Sequence, residues 1–561
     1  MNRVTALLVL LALLALVACA APTPAPQATV AVKAPTAPSV PTVAQPARGG
    51  TIVHGTYADA KVLNPHLTTD VPSSEIFTRV HEPLLDTDPT TGAPIPWLAD
   101  KWDISADGLT YTFYLHKDVK WHDGKPFTAH DVKYTVEAIL DPKTDSPRKS
   151  LFDQVKGAKD RQDKTKNVTD TAGVQVVDDL TIKFVLTEPY CPFLVSTMPA
   201  LRVLPKHLYD GTDVNTNEYN KKPIGTGAWK FKEWLKDDHI TLVANKDWWK
   251  QSGGPMLDTY IYKTVKDATV IMAQLKSGEM DMGGILPQDI PEVEKSSSLQ
   301  LYKIPGLSYE YMGFNVTRVT DKKVRQAITY ALDRAAIAQK AMGGLSPVRD
   351  SHLPPTSWAF KAGDFPVYKF DVAKAKSLLD EAGWKAGADG TRTDASGKPV
   401  TLHLWYNSGD TQREGTALIA QQQLKDVGLK VEIHSQEWNA YLDRLNNSRD
   451  YDMFLNAWIL SPEFGPHTKN IFYTKGRFNR WVWSNEQVDK ALDAALVVPG
   501  CKETDRAKYY QEFERIRAEE LPNVALYDVV SLTVVNKKFQ GVDPKPVGGL
   551  TWNFYQWSIK K

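Results

Sequence analysis

The amino-acid sequence predicts an α/β protein, and two observations lead to this prediction. Short runs rich in β-branched and aromatic residues recur along the chain, each bounded by Gly, Pro, Asn or Asp. Segments with a helical spacing of apolar residues and recognisable caps lie between these runs. Mixed alternation of the two kinds is typical of α/β architecture. The composition is that of a globular protein with a large core, because 42% of the 561 residues are hydrophobic and 24% are charged.

The predicted strands are short and are spread over the whole chain after a leader rich in Ala, Pro and Thr. Period-two alternation and turn residues at both ends define them. They cover residues 51–55, 111–115, 181–186, 240–244, 260–264, 401–406, 430–434 and 532–536. Asp107-Gly108 is a residue pair typical of β-hairpin turns, and it precedes the second of these strands.

Three helices have clear boundary signals. The first is predicted to run from Asp321, a plausible N-cap, to the glycine pair at 343–344. The second covers residues 371–382 and the third residues 416–427, each followed by a glycine. A further helix is predicted after Thr128, which can cap it.

Residues 1–19 are predicted to be a lipoprotein signal peptide. Arg3 precedes the apolar run 4–17, which is shorter than the roughly 20 residues that a helix needs to cross a bilayer. The tetrapeptide 16–19 resembles a bacterial lipobox and predicts lipid attachment at Cys19. An ordinary signal peptide with an incidental Cys is the alternative. Residues 20–48 are nearly uncharged and predict a disordered tether, so we expect an exported protein, lipid-anchored to the cell membrane and facing the periplasm or extracellular space.

Charge and cysteine content exclude several classes of protein. The net charge of +1 comes from 67 basic and 66 acidic residues that are interspersed, so no nucleic-acid partner is expected. Cys191 and Cys501 are the thiols that remain after Cys19, and the sequence leaves their pairing undecided.

No enzyme, cofactor or metal site is predicted. The chain has neither a Gly-x-Ser-x-Gly elbow nor a His-Glu-x-x-His motif. His116, His122 and His130 have irregular spacing for metal ligands. Asp450 and Asp452 flank Tyr451, but solvated charges at the entry of a strand are the expected interpretation.

Ten segments in order carry a family resemblance. They are residues 96–102 (PWLADKW), 107–113, 119–132 (VKWHDGKPFTAHDV), 223–231 (PIGTGAWKF), 245–249, 274–281, 324–334, 378–384, 451–452 and 521–527. This series resembles the family 5 extracellular solute-binding proteins, the oligopeptide- and dipeptide-binding components of ABC importers. The resemblance covers nearly the whole chain after the tether.

The resemblance implies a two-lobed, class II periplasmic-binding-protein-like fold with a ligand cleft between the lobes. Domain I would comprise residues 49–94, 223–306 and 525–561, with domain II at 95–222 and domain III at 307–524. Domain III would close on domain I about the two crossings near 306 and 525, and the ligand would stabilise the closed state.

The same resemblance implies a function and a site. The protein would be a monomer that captures a peptide and delivers it to an ABC permease and its ATPases. Ligand contacts would come from main-chain edges at 68–71 and 456–459 and from nearby aromatic and polar side chains. The residues implied are Thr69, Asp70, Val71, Tyr309, Tyr311, Trp438, Asn456, Ala457, Trp458, Ser461 and Glu463.

One departure from the family pattern bears on the ligand. Peptide-binding members commonly carry an Asp three residues after the Trp of this segment, where it pairs with the ligand ammonium group. Here that position is Ser461, so Glu463 or Asp70 would have to supply the charge. An oligosaccharide, a nickel chelate or an opine is the alternative ligand, and an extracellular hydrolase or a surface sensor is the alternative function.

Overall fold

The structure is a computed structural model that describes residues 48–560. The predicted signal peptide, Cys19 and the predicted tether up to residue 47 lie outside the described residues. Arg48 donates hydrogen bonds to the carbonyls of Ser252 and Gly253 at 2.7 and 2.6 Å, so the fold holds the end of the predicted tether. Between residues 48 and 560, no helix is both long enough and apolar enough to cross a bilayer.

The strands fall where turn residues interrupt β-branched and aromatic runs. In chain order they are β1 Thr51–Thr56, β2 Leu85–Thr87, β3 Pro94–Pro96, β4 Ala99–Ile104, β5 Thr110–Leu115, β6 Val174–Asp178, β7 Thr181–Val185, β8 Trp229–Leu235, β9 His239–Ala244, β10 Thr259–Thr264, β11 Met282–Gly284, β12 Leu299–Phe314, β13 Thr401–Asn407, β14 Lys430–Gln436, β15 Met453–Ile459, β16 Asn523–Asn536, β17 Phe539–Gln540 and β18 Ser558–Ile559. The predicted strands are confirmed, and β16 begins nine residues earlier than predicted.

The helices begin mostly at Asp, Asn or Thr caps. In chain order they are α1 Val71–Val80, α2 Ala129–Leu140, α3 Ala158–Gln162, α4 Met198–Ala200, α5 Lys206–Tyr209, α6 Ala268–Ser277, α7 Ile290–Lys295, α8 Lys322–Ala331, α9 Arg334–Met342, α10 Val372–Glu381, α11 Thr411–Asp426, α12 Trp438–Asp443, α13 Gly465–Phe472, α14 Glu486–Leu496 and α15 Glu503–Glu520. The helix predicted at 416–427 begins five residues earlier, because Asp410 accepts from Arg413 N and caps it.

The single helix predicted from Asp321 to Gly343 was wrong, since the structure has two helices there. The first, α8, ends at Ala331, and Asp333 then caps α9 by accepting a hydrogen bond from Ala336 N at 3.0 Å. An Asp inside an otherwise helical pattern competes with the helix for the backbone N–H groups that follow it. The final boundary at Gly343 is as predicted, with φ of 60°.

A ten-stranded mixed sheet runs through the molecule in the order β14-β13-β15-β12-β16-β11-β1-β10-β9-β8. At its centre β12 and β16 pair antiparallel, and their register shifts between Pro305 and Tyr309. We call the half built on β1 and β8–β11 the first lobe, and the half built on β13–β15 the second lobe. The two long central strands connect the lobes, and the register shift is a local irregularity in this connection.

A separate four-stranded antiparallel sheet, in the order β4-β5-β7-β6, belongs to a unit that packs against the first lobe. Strand β5 buries alternate side chains, as its sequence predicts. Gly108 makes the tight turn before it with φ of 72°. Thr128 N donates to the Asp131 carboxylate at 2.9 Å, which starts α2 at the predicted place.

A disulfide joins this unit to the second lobe and settles the pairing that the sequence left undecided. Cys191 and Cys501 have their Cα atoms 5.2 Å apart, although 310 residues separate them in sequence. Beside the bond, Cys191 N donates to Leu496 O at 2.9 Å. The two lobes are therefore linked covalently at a point other than the β12/β16 connection.

Candidate functional site

A cleft of about 1770 Å³ lies between the lobes. Pockets that hold drug-sized molecules usually have roughly 300–1,000 Å³, so this cleft has room for a longer ligand. The first lobe contributes the segment before α1 and α1 itself, and the second lobe contributes the end of β15 and the residues after it. Both walls carry polar and aromatic groups.

The first-lobe wall is built around the N-terminus of α1. Asp70 caps this helix by accepting from Ser73 N at 3.0 Å, and it also accepts from the Thr68 hydroxyl. The carboxylate is thus occupied by its own chain. Thr69 and Val71 flank it on the cleft wall, and Val71 is exposed.

The second-lobe wall contains a strand edge. β15 pairs with β12 along its whole length, but it pairs with β13 only at Met453 and Phe454. Beyond Phe454 the other edge of β15 faces the cleft, where Ala457 N bonds to the side chain of Asn456 at 2.8 Å. An open strand edge of this kind can accept an extended chain through main-chain hydrogen bonds.

Trp458 lies on this wall with 8% of its surface exposed. Tyr311 stacks behind it, with ring centroids 6.4 Å apart and an interplanar angle of 13°. The Nε1 atom of Trp458 and the Nδ2 atom of Asn456 are buried and have no hydrogen-bond partner among the described residues. Buried donors without partners are costly, and these two atoms have unused capacity to donate a hydrogen bond.

Trp438 lines the cleft from the N-terminus of α12 and meets Tyr57 of the first lobe edge-on, with ring centroids 5.8 Å apart. Tyr309 and Tyr311 are placed differently. Both are fully buried behind the wall and do not line the cleft. Tyr309 bonds through its hydroxyl to His352 Nδ1 at 2.7 Å, so these two tyrosines support the wall.

Ser461 and Glu463 also lie on the cleft wall. The Glu463 carboxylate is buried in a bidentate ion pair with Arg506, with distances of 2.7 and 2.8 Å. The Ser461 hydroxyl donates to the Glu463 carbonyl at 2.6 Å. The charge that could replace the absent Asp is therefore already compensated within the second lobe.

The fold and this cleft can be compared with known proteins. A family model described as bacterial extracellular solute-binding proteins, family 5 middle, matches residues 93–480. The chain belongs to the family 5 extracellular solute-binding proteins. The resemblance noted in the sequence and the two-lobed α/β fold that it implied are both confirmed.

Three comparisons with two proteins illustrate the similarity. The chain is 32% identical over 533 residues to the oligopeptide-binding protein AppA of Bacillus subtilis (strain 168), covering 92% of this chain and 93% of that protein. The solved structure of AppA from Bacillus subtilis in complex with a nonapeptide matches with a TM-score of 0.84 at 30% identity, over 92% of this chain and 100% of that one. NikZ from Campylobacter jejuni in complex with Ni(L-His) matches with a TM-score of 0.80 at 28% identity, over 91% and 99% of the two chains.

Sequence reasoning missed the carboxylate at the base of this family 5 cleft. Buried Glu82 accepts hydrogen bonds from the indole N–H groups of Trp97, Trp248 and Trp249 at 3.0, 3.0 and 2.8 Å, and from the Thr226 hydroxyl at 2.8 Å. Burial raises the pKa of Glu82, and the four donors oppose that rise. The tryptophans were part of the family segments, but nothing in the sequence connected them to Glu82, which is 15 residues from Trp97 and 167 from Trp249.

Cleft-lining arginines were missed as well, because an isolated cation gives no sequence signal of its position in a cleft. Arg148, Arg480 and Arg79 line the cleft. Arg79 pairs with Glu75 at 2.9 Å, while its Nε and Nη2 atoms are buried without partners among the described residues. The cleft thus offers several donors in addition to the strand edge.

One group of side chains outside the cleft has the composition of a metal site. His403, Glu432 and His434 project from the same face of β13 and β14, and their ligand atoms lie within 4.8 Å of one another. The histidine ring nitrogens Nδ1 of His403 and Nε2 of His434 are 2.9 Å apart, within hydrogen-bond distance. Of the histidines considered in the sequence, His122 uses both of its ring nitrogens, on Gly227 O and Gly225 N.

Proposed function

We propose that this protein captures an extracellular peptide in the cleft and delivers it to the membrane permease of an ABC importer. The observation that carries the proposal is the open edge of β15 at residues 456–459, which faces a cleft of about 1770 Å³. Main-chain hydrogen bonds at a strand edge recognise any peptide regardless of its side chains. The relative solved with a nonapeptide supports a ligand of this kind.

The ligand contacts would come from residues of both walls. Thr69, Asp70 and Val71 would contribute main-chain groups from the first lobe. Trp438, Asn456, Ala457, Trp458, Ser461 and Glu463 would line the ligand on the second lobe, with Tyr309 and Tyr311 acting from behind through Trp458. Closure would bring Trp438 against Tyr57, as in the present arrangement.

The proposal includes the setting of the molecule. Lipid attachment at Cys19 and a tether reaching Arg48 would keep a monomer near the permease while the lobes open and close. The protein would bind its ligand without altering it. Replacing Cys19 by Ser should release the exported protein into the aqueous phase of a detergent partition, whereas retention in the detergent phase would contradict the anchor.

The ligand can be identified on protein purified without denaturation. Native mass spectrometry should detect a co-purified peptide, and titration calorimetry of the stripped protein should show binding of peptides that are recovered intact. Ni²⁺ with L-histidine is the matched competitor, because NikZ is solved with that complex. Binding of the chelate or of an oligosaccharide with no binding of peptides would overturn the proposal, and cleavage of the peptides would indicate a hydrolase.

A further inference from the structure

The Trp458 end of the cleft contains a buried cation without an anionic partner. Arg480 is 5% exposed, and its guanidinium carbon lies 4.7 Å from the centroid of the Trp458 ring. Its Nε donates to the Asn446 side chain at 3.0 Å. Among residues 48–560, no carboxylate forms an ion pair with Arg480. A buried charge of this kind needs a counter-ion from elsewhere.

A second unpaired cation reaches the cleft from the side of the first lobe. Arg148 precedes the turn at 149–152, and its guanidinium donates to the carbonyls of Pro65 and Thr68 at 2.7 and 3.4 Å. No carboxylate in the described part of the chain forms an ion pair with it. Burial and neighbouring Arg202 lower the pKa of Arg148 to about 10, so it still carries its charge at neutral pH.

His467 shows that the two arginines converge on one region. Its ring meets the edge of Trp458 with centroids 5.2 Å apart. The Ser150 hydroxyl, two residues after Arg148, donates to Asn470 Oδ1 at 3.4 Å, so the segments that carry Arg148 and His467 lie against each other. Burial, Arg148 and Arg480 lower the pKa of His467 to about 4. Arg148 belongs to the unit packed on the first lobe, whereas His467 and Arg480 belong to the second.

The acids on the nearby cleft walls have other partners. Glu463 is paired with Arg506, Asp70 caps α1, and Asp145 pairs with Arg477 at 2.9 Å. The indole N–H of Trp458 is a further donor without a partner in the described part of the chain. The region therefore has donors and positive charge from both lobes, and residues 48–560 place no unpaired anion beside them.

We propose that a carboxylate of the bound peptide lies between Arg148 and Arg480, against the indole N–H of Trp458. This inference rests on the proposed function and defines its ligand as a peptide that presents an anion here, where relatives would present an ammonium group to an Asp. The anion would also favour closure, because it contacts both lobes and screens the repulsion between their two cations only when the cleft is shut.

Titration calorimetry with four tetrapeptides tests this on the full chain. The probes are tetraalanine with a free carboxylate, its C-terminal amide, the N-acetylated free acid, and an amide with one Glu in place of Ala. We expect the plain amide to bind about 10- to 100-fold more weakly than the free acid, since charge-assisted hydrogen bonds are lost. N-acetylation should have little effect. Recovery of affinity by the Glu amide would identify a side-chain carboxylate as an accepted source, and no recovery would identify the C-terminus.

Arg480→Gln and Arg148→Gln should each weaken the free acid and leave the plain amide unchanged. The matched control is Arg477→Gln, which removes an exposed cleft cation that already pairs with Asp145, and it should change neither Kd by more than about twofold. Equal binding of acid and amide by the unmodified protein would overturn the inference while leaving peptide capture intact. An equal loss for both probes in Arg480→Gln would also overturn it, because it would indicate a structural role. Failure of all four probes would instead contradict peptide capture itself.

Discussion

Removing the disulfide between Cys191 and Cys501 should destabilise the fold and speed the exchange of ligand. The bond closes a loop that spans 310 residues. In the chain-entropy description, a cross-link over about 100 residues stabilises by about 4.7 kcal/mol and the effect grows with the logarithm of loop length. The same relation gives about 5.7 kcal/mol for 310 residues, so we expect the double variant Cys191→Ser, Cys501→Ser to lose up to about 6 kcal/mol of unfolding free energy.

The same bond restricts how far the lobes separate, because it holds two Cα atoms 5.2 Å apart across their boundary. One further contact across that boundary is weak. The Arg477–Asp145 ion pair is exposed, and such pairs contribute about 0–1 kcal/mol. Opening without the bond should therefore be easier, and both the association and the dissociation rate of a peptide should rise.

Urea unfolding followed by circular dichroism measures the first effect, and stopped-flow tryptophan fluorescence with a bound peptide measures the second. The oxidised protein and the double variant are compared in the same buffer, with the reduced protein as a further control. An unchanged unfolding midpoint together with unchanged exchange rates would refute the reasoning, since it would mean that the bond constrains neither the unfolded chain nor the lobes.

Three further predictions concern single side chains. Glu463→Gln leaves buried Arg506 without its counter-ion and should lower the unfolding free energy in urea by about 3–5 kcal/mol. The control Glu512→Gln removes an exposed carboxylate and should lower it by less than about 0.5 kcal/mol. Similar losses in the two variants would argue against a buried ion pair. Trp458→Ala should weaken peptide binding at least about tenfold in calorimetry through the lost ring contact, and unchanged affinity would remove the residue from the site. Unfolding free energy should fall as pH drops from about 6.5 toward 3, by about 1.4 kcal/mol per pH unit for each of His66 and His81, because burial lowers the pKa of both to about 3 and only the unfolded chain takes up the protons. A profile with no slope between pH 6.5 and 5 would contradict this last prediction.

The sequence predicted local structure well wherever a cap or a turn residue acts on its immediate neighbours. The hairpin at Asp107-Gly108 and the start of α2 at Thr128 are examples, because the atoms involved lie within a few residues of one another. The break at Asp333 shows the limit of this reasoning. An Asp at this position can lie inside a helix or cap the next one. Contacts with residues distant in sequence select between these two structures, such as the hydrogen bond from the Arg334 guanidinium to Ala525 O.

The cleft was predictable only through the family resemblance. Thr69 and Trp458 lie on facing walls although nearly 400 residues separate them, and no periodicity in the chain encodes that approach. The placement of Tyr309 and Tyr311 behind the wall depends on which face of the sheet these two residues of β12 occupy and on their register with β15, which the pattern of a single strand leaves open. Partners such as Glu82 and Arg480 could not be found from composition, because their roles arise from groups brought together by folding.

The unpaired edge of β15 also affects how copies of this protein coexist at high concentration. Exposed strand edges are templates for pairing between molecules, and the sequence at this edge is largely apolar. Here the edge lies inside a cleft whose opposite wall stands across from it, so one slender chain can enter but the sheet of another folded molecule cannot. The recess that admits the ligand thus also hinders pairing between two copies of the protein through the edge of β15.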